Sequence, residues 1–392
     1  MKYCSIEEYP IIVTKSEDTM KSIPRIEVLF ADFSGGHRSV ANALTEAIKL
    51  VNPKYDVQPI DGLRQSNLAY YKVTAIYPFF VNHARWLYRL YFLITNGRIQ
   101  TRVIEYVLYW IEKPTIMNYL RRRNVELFIS CHPLFSLLLP PAIKSVSPRT
   151  KIISVITDPF TPHAHNFSPK VDLCIVCSEA AKDIAIKQKV PPQNVVVLRY
   201  PISPTFQERR DNRLNTLTSL NLNMNKATIL LMGGGDGLGR LYKIVSALCT
   251  SELPIQLITV CGRNTNLQNR LLGMESKIAN KVLGYVENVP ALMEASDILI
   301  SKAGACTLYE AFASRLPIII FDAILGQEKG NIDLVLKHGA GYWCQSPGQV
   351  VGAVEKLIKN ASIRKEMALA SFSLSDSHAA IKIARECLKL MP

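Results

Sequence analysis

Short apolar runs alternate with stretches of helical spacing along nearly the whole chain, and the alternation stops once and restarts. A strand that must lie parallel to its predecessor needs a long crossover, and a helix is the usual one. Residues 26–31, 125–130, 151–157, 172–177 and 195–198 read as strands, with a helix near 37–51. A polar stretch follows, 206–225, and reads as a linker. Strands resume at 227–232, 255–261, 281–285, 297–300 and 317–321, with helices near 238–249, 307–315, 327–338 and 349–359. The runs are apolar rather than alternating, as in strands covered on both faces. An α/β chain of two doubly wound, Rossmann-like domains facing across a cleft is therefore expected: 1–205, then 226–375, then a C-terminal helix within 376–392 that can pack back on the first half.

At 392 residues, the chain exceeds what one core usually serves, which agrees with two domains. No apolar run is long enough to cross a bilayer as a helix. The first fifteen residues carry Glu7 and Glu8 and no apolar leader pattern, so no secretory signal is expected. The nine cysteines are scattered, mostly in apolar runs. Cys174 and Cys177 have CxxC spacing, but they sit in a buried-strand pattern with no second pair to complete a zinc site. Reduced core cysteines are expected.

The net charge of +14 seeks anions. It is concentrated: from Arg64 to Arg123 there are ten Lys/Arg and two Asp/Glu, interleaved with aromatics that include Tyr70, Tyr71, Tyr77, Phe79, Phe80, Trp86 and Trp110. Segment 64–123 therefore suits an anionic membrane surface. Nucleic acid is not an expected partner, because no zinc or RNP-type motif accompanies the charge.

Four loops after strands carry the candidate chemistry. Gly35-Gly36-His37-Arg38 opens a helix, where free N–H groups favour an anion and a histidine can serve as general base or simply as a cap. Residues 233–239 hold five glycines in seven, suited to cradling a diphosphate, but follow neither the dinucleotide nor the Walker pattern. Ser301 and Lys302 lead to Gly304 and Thr307, with Glu310 one turn into a helix. Gly326-Gln327-Glu328-Lys329-Gly330-Asn331 is a polar run at a sheet edge. Two further loops hold Cys131-His132-Pro133 and Thr157-Asp158 with His163.

Taken together these residues resemble the monogalactosyldiacylglycerol synthase and processive diacylglycerol glucosyltransferase family, GT-B enzymes related to the murein glycosyltransferase that forms lipid II. The resemblance runs from about residue 25 to 345, and the run 326–331 is its most specific piece. Ser34 stands where the family usually has a third glycine, and Ala305-Cys306 where it usually has Pro-Gly. The resemblance implies an inverting transfer of a hexose, galactose or glucose, from a UDP-sugar to a diacylglycerol-type hydroxyl. It implies His37 as base, with Asp158 beside it as a second catalytic candidate. The implied donor set is Gly36, Gly234, Gly235, Gly262, Arg263, Tyr285, Val286, Ser301, Lys302, Gly304, Thr307, Glu310, Gly326, Gln327, Glu328 and Asn331. His132, Pro133 and His163 are the acceptor candidates, and 64–123 is the implied acceptor and membrane segment. No permanently bound cofactor and no donor-site metal are expected; the partners are a UDP-sugar, a lipid acceptor and an anionic membrane surface, with a cytoplasmic, peripheral location. Other acceptors (a polyprenyl-linked saccharide, a sterol, a soluble molecule) and UDP-N-acetylglucosamine as donor remain open, as does a nucleotide-binding protein without activity.

Overall fold

The structure, a computed structural model, describes residues 23–32, 35–65, 85–207, 213–235, 237, 240–324 and 326–391. Ser34, Asp236, Leu238, Gly239 and the aromatics Tyr70, Tyr71, Tyr77, Phe79 and Phe80 lie outside the described residues.

The first sheet contains β1 (Arg25–Phe30), β2 (Asp56–Asp61), β3 (Leu127–Ser130), β4 (Lys151–Val155), β5 (Leu173–Val176) and β6 (Val195–Val197). The second contains β7 (Ala227–Met232), β8 (Ile255–Val260), β9 (Asn280–Leu283), β10 (Ile298–Lys302), β11 (Ile318–Asp322) and β12 (Gly341–Trp343). Every pairing is parallel, in the orders β2-β1-β3-β4-β5-β6 and β12-β11-β10-β7-β8-β9. The first half carries α1 (Gly36–Val51), α2 (Arg85–Thr95), α3 (Arg98–Arg122), α4 (Pro133–Val146) and α5 (Glu179–Lys187). After it come α6 (Arg213–Ser219), α7 (Leu241–Cys249), α8 (Thr265–Leu272), α9 (Val289–Glu294) and α10 (Ala305–Ala313). The chain ends with α11 (Lys329–Lys337), α12 (Pro347–Lys359), α13 (Ala361–Ser373) and α14 (Ala379–Leu388).

The two α/β sheets match the sequence expectation, and the differences have local causes. β2 went unread because it is an edge strand, half-exposed, with Pro59 in it; an edge position tolerates the missing N–H. β12 is three residues long and begins at a glycine. Of the helix expected at 238–249, the described part, α7, starts at Leu241. Ser301 and Lys302 belong to β10 rather than to the loop after it. Within the stretch read as a linker, α6 forms because Leu217 is buried and Arg213 pairs with Asp297 at 2.9 Å.

Both sheets have a switch point, where the strand order reverses and the loops at the carboxyl ends part to leave a crevice. In the first it lies between β1 and β3, and in the second between β7 and β10. The loops leaving β1 and β3 carry His37 and His132; those leaving β7 and β10 carry the glycine turn and Gly304. The last helix packs α14 onto α1, where Ala380, Ile383, Ala384 and Cys387 share one core with Val40, Leu44, Ala47 and Ile48. The cysteines of the described residues are free, and Cys174 and Cys177 are buried.

Candidate active site

His37 sits in the first turn of α1, whose N-cap, Gly35, has φ +83° and lies against the backbone of Gly235. Its Nδ1 is 2.7 Å from the carbonyl oxygen of Cys131 and 3.2 Å from Thr157 Oγ1. A carbonyl only accepts, so Nδ1 carries the hydrogen and Nε2 holds the lone pair. Burial lowers the His37 pKa to about 4, opposed by the Cys131 carbonyl. The ring is therefore neutral at pH 7, with one nitrogen anchored and the other able to take a proton. His132 lies edge-on to it, centroids 4.7 Å apart. Burial also pushes the His132 pKa well down.

The loops of the two halves meet around a cleft of about 630 Å³. Arg263 reaches Asp32 at 2.8 Å, and Asp32 also pairs with Arg38. Gln327 Nε2 donates to Asp158 Oδ1 at 2.8 Å, and Thr161 Oγ1 donates to the Gln327 carbonyl at 2.7 Å. Tyr200 stacks on Tyr309, centroids 4.8 Å apart. Burial raises the Asp158 pKa to about 6 against the pull of the Gln327 hydrogen bond.

On the second-half wall, Gly234 and Gly262 have left-handed φ of +77° and +60°. A Cβ on Gly262 would meet the Gly235 carbonyl oxygen at 2.3 Å, so a side chain there drives the loops after β7 and β8 apart. Gly262→Ala is expected to cost roughly 1–3 kcal/mol. A lowered urea midpoint together with weakened UDP binding checks this; an unchanged midpoint contradicts it.

Lys302 Nζ lies 3.2 Å from Glu328 Oε1, and the Ile324 N–H donates to Glu328 Oε2 at 2.7 Å. Asn331 Nδ2 donates to the Ala303 carbonyl at 2.9 Å. Glu310, buried in α10, accepts from Ser39 Oγ at 3.3 Å and from Cys306 Sγ at 3.1 Å. Burial raises its pKa to about 7, and those two hydrogen bonds only partly offset the rise.

His37, Asp158, Gly36, Gly234, Gly235, Gly262, Tyr285, Val286, Lys302, Gly304, Thr307, Glu310, Gln327, Glu328 and Asn331 all line this one cleft. Ser301 does not: it is fully buried and donates to the Met232 carbonyl, tying β10 to β7. Arg263 reaches across to Asp32 instead of lining the wall, and Gly326 also stands off it. His132 and Pro133 lie behind His37 at the start of α4, where the His132 side chain caps the helix. His163 points elsewhere, against Thr95, Phe92 and His165. Ser39, Asn42 and Glu46 on α1, with Ser203 and Phe206, also line the cleft and were not singled out from the sequence. Among the described residues no group of three or more His, Cys, Asp or Glu side chains could hold a metal ion.

The chain matches the family described as Monogalactosyldiacylglycerol (MGDG) synthase over residues 37–202 and the Glycosyltransferase family 28 C-terminal domain over residues 228–383. It is 30 % identical over 375 residues to a probable monogalactosyldiacylglycerol synthase 3, chloroplastic, of Oryza sativa subsp. japonica, covering 93 % of this chain and 74 % of the rice protein. It is 30 % identical over 342 residues to monogalactosyldiacylglycerol synthase 2, chloroplastic, of Arabidopsis thaliana, covering 83 % and 72 %. Among solved structures, MurG of Acinetobacter baumannii aligns with TM-score 0.57 at 14 % identity, over 93 % of this chain and 100 % of that one. The Anabaena protein HepE, in complex with UDP-glucose, aligns with TM-score 0.56 at 14 % identity, over 93 % and 99 %. The fold is that of the GT-B glycosyltransferases.

Proposed function

The chain belongs to the monogalactosyldiacylglycerol synthase family and is a hexosyltransferase of glycolipid synthesis, and from that premise we propose that it moves galactose or glucose from a UDP-sugar to the free hydroxyl of a diacylglycerol at a membrane surface. The observation that carries this reading is His37, fixed through Nδ1 by the Cys131 carbonyl on the wall of a cleft between two Rossmann-like halves. Its Nε2 takes the acceptor proton as the oxygen attacks the anomeric carbon from the side opposite UDP. The leaving diphosphate meets the N–H groups at the start of α10 and in the glycine turn, together with Lys302; charge developing there is stabilised without reorganisation. Tyr285 and Val286 bound the slot for the base, and Glu310 accepts from the ribose. Gln327, held by Asp158, faces the donor sugar. No step calls on a metal ion or a permanently bound cofactor. Purified protein given UDP-galactose or UDP-glucose should release UDP only when liposomes contain diacylglycerol. Release that ignores the lipid counts against the reading.

Membrane docking belongs to the same proposal. Among the described residues no helix is long and apolar enough to cross a membrane. Yet α2 and α3 expose Trp86 (68 %), Ile94, Ile99, Tyr106 and Trp110 (53 %) beside Arg98, Arg102 and Lys113. Indole rings favour the headgroup layer, and each cation near an anionic surface adds about 1 kcal/mol. The protein should sediment with anionic liposomes at low salt, and the double change Trp86→Ser with Trp110→Ser should weaken this roughly tenfold. Sedimentation that ignores both changes counts against this face.

A further inference from the structure

The loop that follows β4 reaches across the seam between the two halves and grips the run 326–331. Three contacts make the grip. Asp158 Oδ1 accepts from Gln327 Nε2 at 2.8 Å. Thr161 Oγ1 donates to the Gln327 carbonyl at 2.7 Å. Phe160 packs so closely on Gly330 that a Cβ on that glycine would lie 2.4 Å from the Phe160 Cβ. Glycine is a poor residue inside a helix, and this close approach accounts for its presence in α11. One short loop thus meets the Gln327 side chain, its backbone and the helix start that follows it.

The loop is itself fixed to the first half. Ser178, the N-cap of α5, donates to the Pro159 carbonyl, and Cys177 Sγ lies 3.3 Å from the Ile156 carbonyl oxygen. Thr157 Oγ1 lies 3.2 Å from His37 Nδ1. Two consecutive residues therefore touch the two sides of the site: Thr157 meets the base, and Asp158 meets the glutamine. Among the described residues Asp158 bonds to Gln327, His37 bonds to Cys131 and Thr157, and the two side chains do not bond to each other. Across the seam, Glu328 and Asn331 are tied within the second half, to Lys302 and the Ile324 N–H and to the Ala303 carbonyl. Gln327 is tied to the first half.

We propose that the 157–161 loop of the first half positions Gln327 for the donor hexose, with Asp158 a positioning residue acting through the Gln327 amide rather than a second acid or base. This rests on the reading of the cleft as a UDP-sugar site. A carboxylate oxygen only accepts, so it takes an amide N–H and sets which way the amide turns. Thr161 fixes the backbone that carries it. The hexose is then gripped by a residue whose place is set from the base's side of the cleft, which keeps the anomeric carbon in register with His37. The contacts proposed for UDP, in the glycine turn and at the start of α10, lie outside this clamp. Loss of the clamp therefore weakens the hold on the sugar and spares the nucleotide.

The test compares UDP with UDP-galactose and UDP-glucose by calorimetry on the full chain, and follows transfer to dioleoylglycerol in liposomes with the same preparations. Asp158→Ala should raise the Kd of the sugar donor about tenfold, the size of one lost hydrogen bond, and leave the Kd of UDP within about twofold. Asp158→Asn keeps a carbonyl oxygen for the Gln327 amide, so its donor Kd and its kcat should stay within about threefold of the wild type. Thr161→Val should weaken the sugar donor and again spare UDP. An acid or base is not rescued by asparagine, so equal loss of kcat in the alanine and asparagine variants overturns the positioning role. A donor Kd unchanged in Asp158→Ala, or a loss shared equally by UDP and the sugar donor, also overturns it. Either result in a protein whose wild type transfers hexose removes the clamp alone. A wild type that binds UDP but neither sugar donor removes the transferase reading and the clamp together.

Discussion

His37→Ala is expected to lower kcat by roughly 10²–10⁴, the usual contribution of a positioned general base, while donor affinity changes less than twofold. Geometry sets this role before electrostatics does. The Nδ1 hydrogen bond to the Cys131 carbonyl fixes both the tautomer and the ring plane, leaving Nε2 as the only lone pair the side chain can offer. Its pKa, lowered to about 4 by burial, keeps that lone pair available through the whole neutral range. So acidification from pH 7 to 5 should not silence this residue. His37→Gln should be nearly as inactive as the alanine variant, since an amide replaces the contacts but not the basicity. Unchanged UDP binding in either variant separates loss of chemistry from loss of fold. A variant that keeps more than a tenth of kcat removes His37 from the role of base.

Glu310 should control donor affinity, and through it the pH profile. Its carboxyl is buried and titrates near 7, because burial outweighs the hydrogen bonds from Cys306 and Ser39. The sign follows from the acceptor role. A ribose hydroxyl donates more strongly to an ionised carboxylate than to a neutral acid. Ionised Glu310 therefore binds donor better, and donor binding releases a proton. Donor KM should fall as pH rises from 6 to 8. Glu310→Ala should raise donor KM roughly 10- to 100-fold, the size of a lost charge-assisted hydrogen bond. Glu310→Gln should keep part of the affinity and flatten the pH dependence. Calorimetric titration of UDP in buffers of different ionisation enthalpy reads the proton directly. A pH-independent KM in the wild type contradicts the assignment.

Much of this was legible in the sequence, and the illegible parts share causes. The central strands declare themselves because a parallel strand buried on both faces is mostly apolar, as in Ala227–Met232, where Thr228 is the one polar residue. The edge strands β2 and β12 lack that demand and carry polar residues or a glycine. His37 was readable because paired glycines precede it at a strand–helix junction. Its anchor was not, since Cys131 contributes a backbone carbonyl and any residue has one. The Asp158–Gln327 bond joins residues 169 apart, a distance no local pattern encodes. The contacts of His163 with Thr95 and Phe92 join it to α2 across about 70 residues, again a pairing that no local pattern encodes. Ser39, Asn42 and Glu46 could have been found: they follow His37 at helical spacing, along one face of α1.

On the proposed reading, the cleft transfers a hexose, with inversion, onto a lipid hydroxyl. The most direct measurement is the structure of the product, taken from a reaction of the purified protein with UDP-galactose or UDP-glucose and diacylglycerol in anionic liposomes, by the anomeric proton coupling in NMR. A β-linked monohexosyl diacylglycerol is expected. An α-linked product, or free hexose with no sugar on the lipid, would contradict it.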